Sequence, residues 1–332
     1  MTRTLFRSVV GGLLILLTIS HAKGADKAPE LLLQRMSDAF RQESYVISMV
    51  QNFGGRIEPL RLEHGFVDGH EISHLSYLNG PLRDIVRKDG TVSYLESERP
   101  AYSLKARQMD GPIPKPFLGD ISAISENYRF VMGGKSRTAG RIAQLVRITP
   151  TEPDRYGLLV WSDVETGFLL RADVISREGD IVEQLQVVSI RLMDEPSEHL
   201  QSIAASQLPQ TVPQPERRDT EDLVEWNVGW MPAGFELVNQ DQHRLALTND
   251  VVDYMMFSDG LIKFSVYINK VESQEERGSL VTRGALSLFS LINSGVEITV
   301  VGRMPPETAQ RIAETVYPVV EKPRNKGLPN AG

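Results

Sequence analysis

The segment HEISH, from His70 to His74, carries the residue types of a zinc peptidase site. In those enzymes the H-E-x-x-H pattern lies on a helix, where both histidines share one face and bind a single zinc ion beside a glutamate base. Here Asp-Gly and Asn-Gly dipeptides, which are typical of hairpin turns, bracket the segment at 68–69 and 79–80. The nine residues between them fit a strand, on which the two histidines would stand about 13 Å apart at ~3.3 Å per residue. We therefore predict a strand and no metal site.

The rest of the sequence contains no recognisable motif for catalysis. The Gly-Lys-Ser triplet at 134–136 resembles the end of a phosphate-binding loop, but Arg129 stands where the opening glycine of that loop belongs. No G-x-S-x-G nucleophile motif occurs. Carboxylates are scattered along the chain, and the sequence leaves open whether two of them meet as in a glycosidase. We predict a binding protein rather than an enzyme, with no catalytic residue, no cofactor and no metal.

The composition excludes further classes of function. The 332 residues are 41% hydrophobic and 24% charged, which is typical of globular proteins. No cysteine is present, and this excludes disulfides, thiolate zinc sites, iron–sulfur clusters and a cysteine nucleophile. The formal charge of −7, without a stripe of lysine and arginine, argues against a nucleic-acid partner.

Residues 1–24 have the pattern of a secretory signal peptide. Arg3 and Arg7 precede an apolar run at 9–19, and small residues around Gly24 mark a cleavage site. Because that run is short of the roughly 20 residues that span a bilayer, a cleaved signal is favoured over an uncleaved membrane anchor. The segment holds three basic and no acidic residues, so its removal changes the formal charge from −7 to −10. Export without cysteine favours the periplasm of a Gram-negative bacterium.

The following part of the chain is predicted to form a large antiparallel sheet with helices. Apolar residues at helical spacing predict one helix over 29–43. About ten short strands then follow up to residue 192, separated by turn dipeptides such as Asp89-Gly90. A sheet of this size must cover one face with a helix layer or a ligand. We predict an α+β domain over 25–205.

A change in composition predicts a second, smaller domain. Three prolines and a run of charged residues mark 206–222 as a linker, although one long loop within a single domain remains open. Short strands, among them one over 281–290, and a closing helix after Pro305 predict a small α+β domain over 223–318. We expect a flexible tail over 319–332.

Several segments together resemble the sigma-E factor regulatory proteins of the MucB/RseB family. They are LNGP (78–81), RDIVR (83–87), WMPAGF (230–235), FSDGL (257–261), FSVYI (264–268), RGA (283–285) and TVVG (299–302). Asn79 stands where the family leads us to expect aspartate, a change that a hairpin turn accepts. The segments are individually weak, but their order and spacing agree over residues 29–318.

The resemblance implies an N-terminal domain similar to the LolA and LolB lipoprotein carriers, an open half-barrel, followed by a smaller domain. It also implies a periplasmic protein that binds the periplasmic region of an inner-membrane anti-sigma factor and shields it from regulated proteolysis. Lipid or lipopolysaccharide would release the partner. The alternative is a lipoprotein or lipid carrier without a regulatory role. Such a carrier needs only the half-barrel, so the second domain would have no obvious role in it. A homodimer remains open.

Five residues are candidates for binding the partner. Trp230 and Phe235 flank a Pro-Gly turn, and they could equally anchor the core of the small domain. Arg283 stands beside Gly284 and Ala285, so its charged side chain would lie next to accessible backbone. The alternative for Arg283 is a solvated surface charge.

Overall fold

The computed structural model describes residues 27–211, 225–244, 251–271 and 277–319. The predicted signal peptide at 1–24 lies outside the described residues. So do most of the predicted linker at 206–222 and of the tail at 319–332.

Helix α1 (Ala28–Gln42) confirms the helix predicted over 29–43. Pro29 lies in its first turn, where the missing backbone N–H costs nothing. Leu33, Met36 and Phe40 recur on one face and are buried. That apolar face positions the helix against the first sheet, since burial of such a stripe is the main source of helix stability in proteins.

Eleven antiparallel strands form the first sheet. They are β1 (Ser44–Phe53), β2 (Arg56–Val67), β3 (His70–Tyr77), β4 (Arg83–Lys88), β5 (Thr91–Glu96), β6 (Tyr102–Lys105), β7 (Tyr128–Thr138), β8 (Arg141–Pro150), β9 (Gly157–Asp163), β10 (Leu169–Ile175) and β11 (Ile181–Met193). Their order is β6-β5-β4-β3-β2-β1-β11-β10-β9-β8-β7, and the outermost β6 and β7 do not pair with each other, so the sheet is unclosed. The predicted large antiparallel sheet is confirmed.

Tight hairpins set the register of this sheet. Asp68 and Gly69 both have positive φ, as do Asp89 and Gly90, which is the geometry that a two-residue hairpin turn demands. The Asp-Gly turns predicted at these two positions are confirmed. Because the register is fixed, side chains of β1 to β4 alternate strictly between the two faces.

The two faces of the first sheet are covered differently. Helix α1 and two short 3-10 turns, Lys115–Leu118 and Ile121–Ile124, pack on one face and share its core. Helix α2 (Glu198–Ala205) lies on the opposite face, where Leu200 is buried against Gly65 of β2.

The second domain is built on a six-stranded sheet. Its elements are β12 (Trp226–Val228), β13 (Glu236–Arg244), β14 (Val251–Ser258), β15 (Lys263–Lys270), β16 (Arg277–Arg283), β17 (Leu286–Asn293), β18 (Val296–Arg303), α3 (Pro306–Glu314) and β19 (Val316–Pro318). The sheet order is β13-β14-β15-β18-β17-β16, and β12 pairs with β19. Ala309 and Ile312 of α3 are buried in the core of this domain.

The strand predicted over 281–290 was wrong, because the chain turns inside it. Gly284 has a φ of 59°, in the left-handed region that suits glycine, and it joins β16 to β17. The Arg-Gly-Ala triplet at 283–285 therefore forms a hairpin turn.

Candidate functional site

The two domains meet around a fully buried ion pair. Arg155 lies in the loop between β8 and β9, and Asp259 lies in the turn between β14 and β15. The Nε atom of Arg155 is 2.8 Å from Oδ2 of Asp259, and both side chains are excluded from solvent. Asp259 also holds its own turn, since its Oδ1 accepts hydrogen bonds from the backbone N–H groups of Leu261 and Ile262. One carboxylate thus shapes a turn and joins two domains.

The remaining surroundings of Arg155 are aromatic and polar. The hydroxyl of Tyr128 donates to Oδ2 of Asp259 at 2.7 Å, and burial raises the pKa of Tyr128, which keeps this hydroxyl protonated. The guanidinium lies over the ring of Phe235 at 5.0 Å and donates to the carbonyl oxygen of Ala233. Within the described part of the chain, its Nη1 has no hydrogen-bond partner, and its Nε contacts Asp259 as an ion pair without a hydrogen bond. A buried cation so enclosed depends on Asp259 for its charge balance.

A second contact between the domains is made by backbone. A Cβ atom at Gly284 would lie 2.9 Å from the amide nitrogen of Gly54 and 3.1 Å from the carbonyl oxygen of Val182. The β16–β17 turn therefore approaches the β1–β2 turn too closely for a side chain at either glycine. Nearby, Arg303 lies 3.1 Å from Glu183, which is buried in the first domain.

A cleft of about 430 Å³ opens between the domains. One wall is the loop 110–115 of the first domain, and the other is formed by the β14–β15 turn together with Leu286 and the end of β18. Its lining includes apolar side chains such as Ile113, Leu261 and Ile262. The volume falls in the range of about 300–1,000 Å³ that is usual for ligand pockets.

Charged side chains at this cleft are mostly cationic. Lys115, Lys263 and Arg303 line it with a single carboxylate, that of Asp110, which lies 2.7 Å from Nζ of Lys115. Partial burial lowers the pKa of Lys263, and the neighbouring Lys115 lowers it further. The cleft thus combines an apolar floor with a net positive charge, in a chain whose overall charge is negative. Such a site attracts a ligand that carries carboxylates or other anionic groups.

The five predicted partner-binding residues are divided between this interface and the core. Arg283 is exposed at the end of β16, and Ala285 is buried and lines the cleft. Phe235 is 8% exposed and packs edge-on against the ring of Phe264, besides lying under Arg155. Trp230 is half-buried, and Arg311 of α3 stacks on its ring at 3.6 Å.

The interior of the first sheet is largely filled. Between α1, the loop after β6 and the inner side chains of β1 to β4, a cavity of about 100 Å³ remains. Its lining includes Phe40, Tyr45, Leu62 and Met109. This volume is below the range of about 300–1,000 Å³ for ligand pockets, so an acyl chain needs a displacement of the elements that fill the interior.

A charged cluster lies at the edge of that cavity. Glu71 pairs with Arg87, and its Oε1 lies 3.1 Å from Nε2 of His64, whose ring stacks on Tyr45. The hydrogen bond from His64 and the contacts with Arg87 lower the pKa of Glu71 to about 2. The carboxylate is therefore ionised at every physiological pH and serves as a fixed acceptor for its neighbours.

The HEISH segment forms strand β3, as predicted, and its residues point to both faces. Glu71 belongs to the inner cluster, and the exposed His70 pairs with Asp89 at 2.7 Å. On the outer face, Nδ1 of His74 lies 2.9 Å from Nε2 of His199 in α2, close to the carboxylate of Glu63. His70 and His74 thus have separate partners.

Sequence reasoning missed the residues that join the domains. Asp259 entered only as part of the FSDGL segment at 257–261. Nothing in the spacing of Arg155 or Tyr128 indicated a partner more than a hundred residues away. The loop at 110–115 was also missed. Its apolar residues follow neither the alternation that is typical of a strand nor the spacing that is typical of a helix. A buried arginine between two predicted strands gives no sequence signal of its own.

The chain is similar to known proteins over nearly all of its described residues. Residues 28–212 match the family model of the MucB/RseB N-terminal domain, and residues 220–317 match that of the MucB/RseB C-terminal domain. The sigma-E factor regulatory protein RseB of Haemophilus influenzae is 31% identical over 303 residues, which are 91% of this chain and 95% of that protein.

Solved structures agree with the fold. A chain in a structure described as the complex of Pseudomonas aeruginosa MucA and MucB is similar with a TM-score of 0.71 and 27% identity, over 88% of this chain and 99% of that one. A crystal structure of MucB in complex with MucA(peri) gives a TM-score of 0.69 and 26% identity, with the same coverage. Within the described ranges, no helix has the length and apolar character needed to cross a membrane.

Proposed function

The chain belongs to the MucB/RseB family, and from this premise we propose that it is a periplasmic regulator of an envelope-stress sigma factor. It binds the periplasmic region of a membrane-bound anti-sigma factor and protects that region from regulated proteolysis. The similarity that carries this proposal extends over both domains of MucB in its complex with MucA. The role is one of binding rather than catalysis, because a reaction needs residues in defined roles and the described residues suggest none.

The partner occupies the cleft between the domains. Its volume of about 430 Å³ fits a peptide segment better than the cavity of about 100 Å³ inside the first sheet. Apolar groups such as Ile113 and Leu261 would bind apolar side chains of the segment, and Lys115 and Lys263 would bind its carboxylates. The partner segment is therefore expected to contain both apolar and acidic residues. Arg283 lies beside the cleft residues Ala285 and Leu286, where it could extend the contact.

A lipid or lipopolysaccharide ligand would act from the inside of the first sheet. An acyl chain there must displace part of the loop after β6, because the remaining cavity is too small. Gly111, Pro112 and Ile113 of that loop line the inner cavity and also the cleft. A displacement of these three residues by lipid would change the wall against which the partner lies. This shared segment supports a direct coupling of lipid uptake to partner release.

A pull-down and a protection assay test the proposed function. The purified protein is offered to the periplasmic domains of the host's inner-membrane proteins, and one predominant anti-sigma factor is expected. That partner is then exposed to the protease that first cleaves it, with and without the protein. Slower cleavage in its presence supports the regulator. Lipid binding with no captured partner and no protection would instead indicate a carrier, and would refute the proposal.

A further inference from the structure

We propose that Glu63, His74 and His199 form a binding site for one divalent transition-metal ion of the zinc type, on the face of the first sheet opposite α1. Two imidazole nitrogens and one carboxylate oxygen are a donor set that zinc accepts in proteins. The site is separate from the cleft and from the inner cavity, and the proposal does not depend on the proposed function.

Secondary structure brings the three side chains together. Glu63 of β2 and His74 of β3 are directly opposed in the antiparallel pair, so their side chains lie next to each other on one face. His199 extends from α2, which covers this part of the sheet. One ligand atom from each residue lies within 4.8 Å of the other two.

The distance between the two imidazole nitrogens is close to that of a tetrahedral site. Nδ1 of His74 and Nε2 of His199 are 2.9 Å apart. Two nitrogens bound tetrahedrally to zinc at 2.0–2.1 Å are separated by about 3.3 Å. The two rings thus need to separate by only a few tenths of an ångström. His199 is exposed on the surface of α2, so its side chain has room for that adjustment.

The neighbours of His74 favour a metal-binding form of its ring. Nε2 of His74 lies 3.2 Å from the hydroxyl of Ser76 and 3.4 Å from Oδ2 of Asp84. A proton on Nε2 is stabilised by these oxygens, which leaves the lone pair of Nδ1 directed at His199. Metal-binding histidines commonly have a carboxylate in this position behind the ring.

Glu63 is oriented in a similar way from behind. Its Oε2 accepts a hydrogen bond of 2.6 Å from the hydroxyl of Ser197, and its Oε1 lies 2.9 Å from Nε of Arg61. Glu63 and Asp84 thus place two carboxylates beside the imidazole of His74, and such donors suit a dication. The exposed side of His199 leaves a fourth position open to water.

A bound metal would fasten α2 to the sheet. This helix ends shortly before the segment that leads to the second domain. Its contacts in the described part of the chain include the buried Leu200, the cap from Ser197 and a hydrogen bond of 2.9 Å from Lys88 to the carbonyl oxygen of Ala204. A metal clamp would add a link between β2, β3 and the end of the first domain.

Zinc titration of the purified, tag-free protein tests this site. We expect one Zn²⁺ per chain after equilibrium dialysis, and a dissociation constant in the micromolar range or below from competition with a coloured chelator. The change His199→Gln removes one ligand from an exposed position and should weaken binding at least 100-fold. Asp84→Asn should weaken it about 10- to 100-fold, as is usual for a residue that orients a ligand.

The matched control is His70→Gln, because His70 is on the same strand and pairs with Asp89 on its own. Its affinity for Zn²⁺ should equal that of the unchanged protein. Zinc should also raise the melting temperature of the unchanged protein and of His70→Gln, but not that of His199→Gln. Two results would overturn the site: no binding of Zn²⁺ at 100-fold excess, or binding that His199→Gln leaves unchanged.

Discussion

Asp259 of the second domain neutralises Arg155 of the first in an ion pair from which solvent is excluded. The attraction between two such charges is offset by the cost of removing both from water, so the pair adds little net stability as long as both members are present. The loss of one member is different, because it leaves the other charge buried without a partner. The pair therefore fixes the relative position of the domains more than it stabilises either of them.

The first prediction concerns this pair. Asp259→Ala should lower the free energy of unfolding by about 3–5 kcal/mol, because it leaves the guanidinium of Arg155 buried and unneutralised. Asp259→Asn removes the negative charge but keeps a side-chain oxygen that accepts from the backbone N–H groups of Leu261 and Ile262. This variant therefore measures the loss of the charge without the loss of the turn. Urea denaturation measures both variants. The exposed Asp180→Ala is the control and should change the value by less than about 0.5 kcal/mol. A similarly small change for Asp259→Ala would contradict the role of the pair.

The second prediction concerns pH and the inner cluster. The pKa of Glu71 is about 2 in the folded protein, below its ordinary value of 4.5. A carboxyl group whose pKa is lowered by folding contributes stability that is complete above pH 4.5 and is lost as the pH falls towards 2. Glu71→Gln should therefore reduce stability at pH 7 and flatten its decline between pH 4.5 and pH 2.

Denaturation midpoints at pH 7, 4 and 3 measure this difference. The exposed Glu98→Gln is the control, and its curve should follow that of the unchanged protein over the same range. Parallel curves for Glu71→Gln and the unchanged protein would show that the contacts of Glu71 with His64 and Arg87 do not stabilise the fold.

The third prediction concerns the charge of the cleft. Lys263→Glu places a carboxylate beside Lys115 and Asp110, and it should weaken binding of an acidic partner segment about tenfold or more. Titration calorimetry with the anti-sigma factor's periplasmic domain measures the effect. Binding by the unchanged protein should weaken as salt is raised, and the variant should show a shallower dependence. Equal affinities of the two proteins would place the partner elsewhere.

The first sheet was predictable because apolar and polar residues alternate along its strands. Its turns also carry strong local signals, as at Asp68-Gly69. Strand β6 was missed, and its four residues at the edge of the sheet follow Pro100 without a hairpin turn. The division of 281–290 into two strands was missed as well. Its cause is the turn at Gly284, which packs against Gly54 of the other domain, and such a contact leaves no mark in the local pattern.

The candidate site was less predictable than the fold, because its residues come together only through tertiary structure. The strand predicted for the HEISH segment separates its two histidines, as the structure has it. The spacing did not indicate that His74 meets His199, which is 125 positions further along the chain. Strand β3 holds the two histidines of the motif apart, and helix α2 at the end of the domain supplies His199 in place of His70.

The fourth prediction returns to the exposed arginine of the β16–β17 turn. Arg283→Glu should weaken partner binding several-fold without lowering the melting temperature, because Arg283 is exposed and the atom of its side chain nearest to Gly54 is the aliphatic Cγ. Arg137→Glu, exposed on the edge strand β7, is the control with the same charge change. Equal affinities of Arg283→Glu and Arg137→Glu would show that Arg283 is a solvated surface charge.

The fifth prediction concerns the loop that lines both cavities. Because the chain has no cysteine, Pro114→Cys gives a single attachment point for an environment-sensitive fluorophore, next to the shared residues 111–113. Lipid added to the labelled protein should change the emission and lower the affinity for the partner in the same concentration range. The same label at the exposed Glu98→Cys should report neither ligand. Since the shared loop is the proposed link between lipid and partner, release of the partner by lipid without any change at position 114 would mean that the coupling follows another path.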